Sequence, residues 1–301
     1  MLEDFVKSKD FIGHSGQIFS IDFDGQFIYS ASADKFVTRW NISSGTQDNF
    51  AIKFDKSPYS LKLFNNLRML AVGLENGDLH LFNLDLRKEV KFFRQHKSAV
   101  FSIIENKSKK QFYSADADGN LAVWNSVSLS LELLLPFACG KIRRLMLNKD
   151  ETLLFLACQD GFVRILDTAY FNLVAEFFGH EDGVTCFSLF PEAERYMLTG
   201  GKDAHLILWD LETKTCLKSI PAHNYVIYDI LYFDAKHFLT ISRDKTIKVW
   251  DSKAMQVIQK IDSKKGGHKH SINSVLRVDQ HNFATCSDDK SIKLFTRTGL
   301  F

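Results

Sequence analysis

One short pattern recurs seven times along this chain. A turn residue is followed six positions later by a bulky apolar residue: Asp34 and Trp40, Asn76 and Phe82, Asp118 and Trp124, Asp160 and Leu166, Asp203 and Trp209, Asp244 and Trp250, Asp289 and Phe295. The bulky residues follow one another at intervals of 42, 42, 42, 43, 41 and 45 positions. A fixed period of roughly 20–50 residues is the signature of a repeat architecture, because each unit is one supersecondary module that cannot bury its apolar face alone.

Each unit reads as four short strands. In the first, residues 27–29 and 36–40 flank a turn at Asp34-Lys35. Asn76-Gly77, Asp118-Gly119 and Asp160-Gly161 are tight-hairpin dipeptides that tolerate positive φ. An apolar strand precedes the hairpin (18–21, 184–187) and a fourth follows it (257–261). The longest interval contains residues 263–267, which read as a loop insertion. Short, evenly spaced strands with turn signals mean a sandwich, a barrel or a propeller. The 42-residue self-similarity selects the propeller. The expected fold is all-β: seven blades, each a four-stranded antiparallel sheet, with third strands ending near residues 40, 82, 124, 166, 209, 250 and 295. Residues 5–11 precede the first unit as a fourth strand would, and the last unit stops after its third strand. The N-terminal strand should therefore complete the last blade and close the ring, with residues 1–301 forming a single propeller and its edges protected.

The motifs within the frame point to a family. Trp209-Asp210 and Trp250-Asp251 are Trp-Asp dipeptides, and Gly13-His14, Gly179-His180 and Gly267-His268 are Gly-His dipeptides. With His96 and His223, each histidine lies four residues before a first-strand apolar position (Ile18, Val100, Val184, Ile227, Ile272). Over essentially residues 4–298 the sequence resembles the WD-repeat (Trp-Asp repeat) β-propeller family. The resemblance implies a structural hydrogen-bond network in which the His bonds the turn Asp and the Trp ring nitrogen reaches a Ser hydroxyl. In blade 1 the set is His14, Ser32, Asp34 and Trp40; in blade 6 it is His223, Ser242, Asp244 and Trp250. The network is expected to be degraded in blade 2 (Phe54, Phe82), blade 4 (Ala138, Leu166), blade 5 (Gly201) and blade 7 (Phe295).

Ser, His and Asp together invite a hydrolase reading. A nucleophilic site needs one activated Ser beside an oxyanion hole. Here the set recurs at fixed offsets, which serves folding rather than catalysis, so no catalytic residue is assigned. The other histidines form no spaced metal cluster, the five cysteines include no C-x-x-C pair, and no phosphate-cradling Gly-rich loop is present. No metal and no cofactor are expected.

The resemblance also implies a recognition face around the channel mouth, reached by two positions per blade. The position after the first-strand apolar residue holds Phe19, Tyr59, Phe101, Arg143, Thr185, Tyr228 and Asn273; the position before the turn residue holds Ala33, Glu75, Ala117, Gln159, Lys202, Arg243 and Asp288. From these, Phe19, Tyr59, Phe101, Arg143, Lys202, Tyr228 and Arg243 are the candidate partner-binding residues. Aromatic and Arg anchors are what interface hot spots are made of. The expected function is a non-catalytic scaffold for a protein or peptide with an apolar side chain and an acidic group. The aromatics plugging the channel mouth is the plainer alternative. An RNA- or DNA-associated subunit is another, and an enzyme with a channel-mouth site is less supported. The net charge of +2 supplies no field that names a nucleic acid, and residues 107–110 and 264–265 read as solvated basic loops. The acidic start, the lack of a long apolar run and the odd, scattered cysteines point to a cytoplasmic protein away from the membrane, without disulfides. A closed propeller needs no partner to fold, so a monomer within a larger complex is expected.

Overall fold

The computed structural model describes residues 4–298. The ends of the 1–301 span, residues 1–3 and 299–301, lie outside the described residues. The chain begins with β1 (Phe5–Ile12). Blade 1 is β2 (Ile18–Phe23), β3 (Phe27–Ser32), β4 (Phe36–Asn41) and β5 (Gln47–Lys53). Blade 2 is β6 (Pro58–Phe64), β7 (Met69–Leu74), β8 (Leu79–Asn83) and β9 (Lys88–Phe93). Blade 3 is β10 (Val100–Asn106), β11 (Gln111–Asp116), β12 (Asn120–Asn125) and β13 (Ser130–Pro136). Blade 4 is β14 (Ile142–Leu147), β15 (Leu153–Cys158), β16 (Phe162–Asp167) and β17 (Leu173–Phe178). Blade 5 is β18 (Val184–Leu189), β19 (Tyr196–Gly201), β20 (His205–Asp210) and β21 (Thr215–Pro221). Blade 6 is β22 (Ile227–Tyr232), β23 (His237–Ser242), β24 (Ile247–Asp251) and β25 (Gln256–Ile261). Blade 7 holds β26 (Ile272–Arg277), β27 (Asn282–Ser287) and β28 (Ser291–Arg297), and its outermost strand is β1.

The first strands of neighbouring blades touch all the way round, from β2 against β6 to β26 against β2, so they line the central channel and the ring is closed. Each second strand has a neighbouring blade on both faces, which explains its nearly continuous burial. The fourth strands form the rim and are mostly exposed. The core is seven apolar clusters, one between each pair of successive blades. Within blades the Trp-position residue stacks on a second-strand Phe: Trp124 on Phe112 at 5.8 Å, Trp250 on Phe238 at 5.6 Å and Phe295 on Phe283 at 5.0 Å.

The turn between second and third strands has one residue with positive φ in every blade: Lys35, Gly77, Gly119, Gly161, Ala204, Lys245 and Lys290. Three of the seven are glycine, which holds that conformation at no steric cost. In the other four the preceding Asp carboxylate accepts the N–H two residues on, from Phe36, His205, Thr246 and Ser291 respectively. This Asx-type bond stabilises the tight turn without a glycine. The insertion at residues 263–267 forms a single 3-10 turn, Ser263–Lys265, capped by the Asp262 carboxylate. No helix among the described residues is long and apolar enough to cross a membrane.

Candidate functional site

The channel mouth is built by an irregularity repeated in all seven blades. Where each first strand pairs with its second, the register slips by one residue: between Ile18 and Ser20, Pro58 and Ser60, Val100 and Ser102, Ile142 and Arg144, Val184 and Cys186, Ile227 and Asp229, and Ile272 and Ser274. A bulge leaves one residue unpaired, bends the strand and re-aims its side chain. The bulged residues are Phe19, Tyr59, Phe101, Arg143, Thr185, Tyr228 and Asn273. All seven line one cavity of about 390 Å³, together with Gln17, Ser20, Lys141, Arg144, Ser274 and Asp288.

Three aromatics form a row across blades 1 to 3. Phe19 and Tyr59 meet edge to face at 4.7 Å, and Tyr59 stacks on Phe101 at 5.8 Å. Arg143 continues the row, with Cζ 4.4 Å from the Phe101 ring centre. Burial holds the Arg143 guanidinium below its ordinary pKa, opposed by Tyr228 and Tyr59. Below the mouth, Arg144 reaches past blade 5 to Asp229 of blade 6, Nη2 to Oδ1 3.2 Å. Asp229 is fully buried and its carboxyl is pushed up by burial, with Arg144 and the N–H groups of Val275 and Ile230 acting against that. Thr185, Asn273 and Ser60 donate to the carbonyls of Ile227, Ile18 and Val100, stitching neighbouring blades around the channel.

Of the seven candidate partner-binding residues, Phe19, Tyr59, Phe101, Arg143 and Tyr228 come together here. Lys202 and Arg243 do not line the cavity. Arg243 instead lies 6.0 Å from the Tyr225 ring. Of the positions before the turn residue only Asp288 reaches the lining. Sequence reading passed over Lys141 and Gln17, which hold the position before the first-strand apolar residue, and Arg144, which follows the bulge. Their fixed offsets were the available signal. A larger hollow of about 570 Å³ lies at the rim between blades 1 and 2, lined in part by Arg39, Phe50, Phe82 and Arg87.

The His–Asp networks sit at the blade edges. In blade 1, His14 Nδ1 lies 2.7 Å from Asp34 Oδ2 and Nε2 lies 2.7 Å from Ser30 Oγ; Trp40 Nε1 donates to the same Ser30 hydroxyl at 2.7 Å. In blade 6, His223 meets Asp244 at 2.9 Å and Thr240 at 2.7 Å, and Trp250 donates to Thr240 at 2.8 Å. This corrects the expected hydroxyl: Ser32 and Ser242 are not the indole partners. They sit at the strand end, where their hydroxyls accept the Asp34 and Asp244 N–H groups. Strand alternation puts residues two apart on one face, and the pairing of Ile28 with Trp40 brings the indole to Ser30.

Two further corrections concern single blades. Gly201 does not weaken blade 5, because Thr199 takes His180 at 2.7 Å and Trp209 at 2.9 Å. A Cβ at residue 201 would run into His180 Nδ1. In blade 3 the carboxylate on His96 belongs to Asp116, 2.7 Å away, and not to the turn residue Asp118. Asp116 also accepts from the backbone N–H groups of Asp118 and Asn120. In blade 7 His268 meets Asp289 and Thr285, both at 2.9 Å. Blade 2 packs Phe54 edge-on to Phe82 at 5.8 Å instead. Blade 4 buries Cys139 and Cys158 there. In blade 3 Ser114 takes His96 at 2.7 Å and Trp124 at 2.8 Å, and the five hydroxyls, Ser30, Ser114, Thr199, Thr240 and Thr285, are wholly buried. A hydroxyl with no surface cannot meet a substrate carbonyl.

In blades 1, 6 and 7 the networks hold neutral imidazoles against charged carboxylates. Burial lowers the pKa of His14, His223 and His268, outweighing the pull of their Asp partners. Burial alone would raise Asp34, Asp116, Asp203, Asp244 and Asp289, but the bonds from histidine and from N–H groups hold them below the usual carboxylate range. For His14, His223 and His268, Nδ1–H therefore donates to the carboxylate, and Nε2 accepts from the hydroxyl. A histidine with a depressed folded pKa binds protons more readily when unfolded. Its contribution is complete above about pH 6.5 and erodes as pH falls through that value; the depressed carboxylates add a further loss below about pH 4. Melting should thus fall between pH 7.5 and 5.5, and again below 4. Fluorimetric melts that stay level from 7.5 to 5.5 would contradict neutral imidazoles.

Comparison with known proteins agrees with this architecture. The family profile described as "WD domain, G-beta repeat" matches residues 5–41, 87–125, 171–210, 214–251 and 259–296. These windows end in the third strands of blades 1, 3, 5, 6 and 7, the five with a His–Asp pair. WD repeat-containing protein 55 of Rattus norvegicus is 22% identical over 240 residues, covering 78% of this chain and 62% of that protein. Pre-mRNA-processing factor 17 of Homo sapiens is 24% identical over 258 residues, covering 81% and 44%. DDB1- and CUL4-associated factor 13 of Mus musculus is 30% identical over 116 residues, covering 36% and 26%. The chain thus spans less than two thirds of the length of these relatives. Its repeats match over well over half of its length, and the chain belongs to the WD domain, G-beta repeat family.

Proposed function

We propose that this propeller is a non-catalytic scaffold that docks a protein segment at its channel mouth, the segment bringing an apolar side chain and an acidic group. The convergence of the seven bulged side chains on one open cavity supports this reading above all, because aromatic and Arg anchors in a pocket are the usual centres of binding energy. A catalytic site would need an accessible, unrepeated set of titratable groups aimed at a reacting atom, and the repeated sets here are buried at the blade edges. Relatives named for association with DDB1 and CUL4 and for pre-mRNA processing support a place within a larger assembly. Five unpaired cysteines, four of them buried, suit a reducing compartment such as the cytoplasm.

A subunit of an RNA-containing assembly is the second reading. It is favoured by the similarity to Pre-mRNA-processing factor 17 along 81% of the chain. One experiment addresses both. Lysate proteins are captured on wild-type bait and on a Phe101→Glu/Tyr228→Glu bait, with and without ribonuclease, after both baits are shown to melt alike. A protein held by wild type alone, indifferent to ribonuclease, is the expected result. Identical captures would move docking to the rim or the opposite face, and ribonuclease-sensitive capture would favour the RNA reading.

A further inference from the structure

The arginines of this chain differ in how they are paired. Arg39, Arg144, Arg164 and Arg297 are half-buried, and each holds a carboxylate, from Asp48, Asp229, Asp160 and Asp234 respectively. Arg143 is half-buried too, yet its guanidinium makes no hydrogen bond and no ion pair among the described residues. Its Nε is buried without an acceptor. A desolvated cation without an anion is unfavourable in the free protein. It is a favourable arrangement once an anion arrives, because the desolvation has already occurred and the group is held in place.

The surroundings define the anion. The Phe101 ring covers Arg143, with Cζ 4.4 Å from the ring centre, so the in-plane N–H groups are left to bind. A guanidinium used through its edge makes two parallel bonds to a planar carboxylate. Lys141 lines the same cavity, with Nζ 5.9 Å from the Phe101 ring centre, and adds a second positive charge. Arg144 is committed to Asp229 and does not compete. Asp288 also lines the cavity, its Oδ1 accepting from Asn273 at 2.8 Å. A nearby carboxylate disfavours a dianionic phosphate more than a monoanion. The hydroxyls of Tyr59 and Tyr228 make no hydrogen bond among the described residues and stand at the same mouth.

From this geometry we infer that Arg143 is the anchor of a carboxylate-binding subsite at the channel mouth, taking either an Asp or Glu side chain or the C-terminal carboxylate of the docked segment. The inference rests on the docking reading above and names the group that site recognises.

The test follows the Arg143 Nε–Hε signal by NMR in the ¹⁵N-labelled full chain, assigned by its loss in Arg143→Lys. Four probes are titrated: N-acetylglutamate α-amide, N-acetyl-leucine, N-acetylglutamine amide and inorganic phosphate. A saturable shift with one or both carboxylates is expected, at constants on the order of millimolar for such fragments. The neutral glutamine amide should do nothing, and phosphate should bind more weakly. The first probe reports a side-chain carboxylate and the second a chain terminus. Arg143→Gln should weaken carboxylate binding, followed by the shifts of the neighbouring Tyr and Lys signals, by roughly ten- to a hundredfold, and should melt no lower than wild type. No saturable shift with either carboxylate, tighter phosphate binding, or a lowered melting temperature in Arg143→Gln would each overturn the assignment. If Phe101/Tyr228-dependent capture persists while carboxylates leave Arg143 unmoved, this subsite fails and docking stands. If carboxylates shift Arg143 while captures ignore Phe101 and Tyr228, the docking reading fails and the subsite stands.

Discussion

Removal of residues 1–12 is expected to leave a chain that no longer melts cooperatively near the wild-type temperature. β1 pairs with β28 from Phe5 opposite Arg297 to Ile12 opposite Ser291. It places Phe5 in the cluster between blades 6 and 7 and Phe11 in the cluster between blades 7 and 1. Phe5 meets Phe233 at 4.9 Å and Phe283 at 5.0 Å, both edge to face. Its backbone is bonded both ways by the Gln259 amide, at 2.9 Å and 2.8 Å. Asp10 pairs with Lys293 at 2.5 Å. Loss of one such Phe costs about 3–5 kcal/mol, and a whole fold is stable by only about 5–15 kcal/mol. Losing both, with the strand pairing, reaches that range. Circular dichroism melts of the truncated and intact proteins decide it. A truncated protein that melts like the intact one refutes closure by this strand. Phe11→Ala is the milder companion, expected to fold and to melt several degrees lower.

The second large effect lies in the blade edges. Asp116→Ala should lose about 3–5 kcal/mol, because the buried His96 ring and the N–H groups of Asp118 and Asn120 lose their acceptor together and an orphaned buried donor costs about 1–3 kcal/mol. Asp244→Ala should also be costly, since His223, Thr246 and the Asn224 N–H depend on that carboxylate. Asp160→Ala should cost about 1 kcal/mol or less. Asp160 meets Arg164 at 2.6 Å near the surface, and Arg164 keeps Glu176 at 3.7 Å. Chemical denaturation of the three variants ranks them, and equal losses at Asp244 and Asp160 would sink the network argument.

These contrasts also mark what is legible in the sequence. Seven blades can be read from the positions of Trp40, Phe82 and their counterparts because the hairpin before each is local: a turn residue and a bulky residue at a fixed offset need no tertiary information. The channel-mouth positions are legible for a related reason, since the same bulge recurs in every blade. The indole partner is not. Ser30 and Ser32 lie on one face of β3, and only the register between β3 and β4 chooses between them. Asp116 was hidden because it stands where blade 1 has Ser32, two residues before the turn position. Lys202 and Arg243 were chosen by offset alone, and offset does not tell which way a loop side chain leans. Lys141 escapes a reading by offset because the residue ahead of the first strand reaches the cavity only in blades 1 and 4, at Gln17 and Lys141.

The pairing of β1 with β28 has a consequence in time. At about 5–20 residues per second of synthesis, some 280 residues must be added after β1 before its partner exists, a delay of roughly 15–60 s. Blades 1 to 6 can each form their hairpins from neighbouring segments during that interval. β1 cannot, and an unpaired strand invites the wrong neighbour. Its sequence suits the wait: Lys7, Lys9 and Asp10 stand between Phe5 and Phe11, and charges placed between apolar residues keep a nascent strand from adding to another sheet.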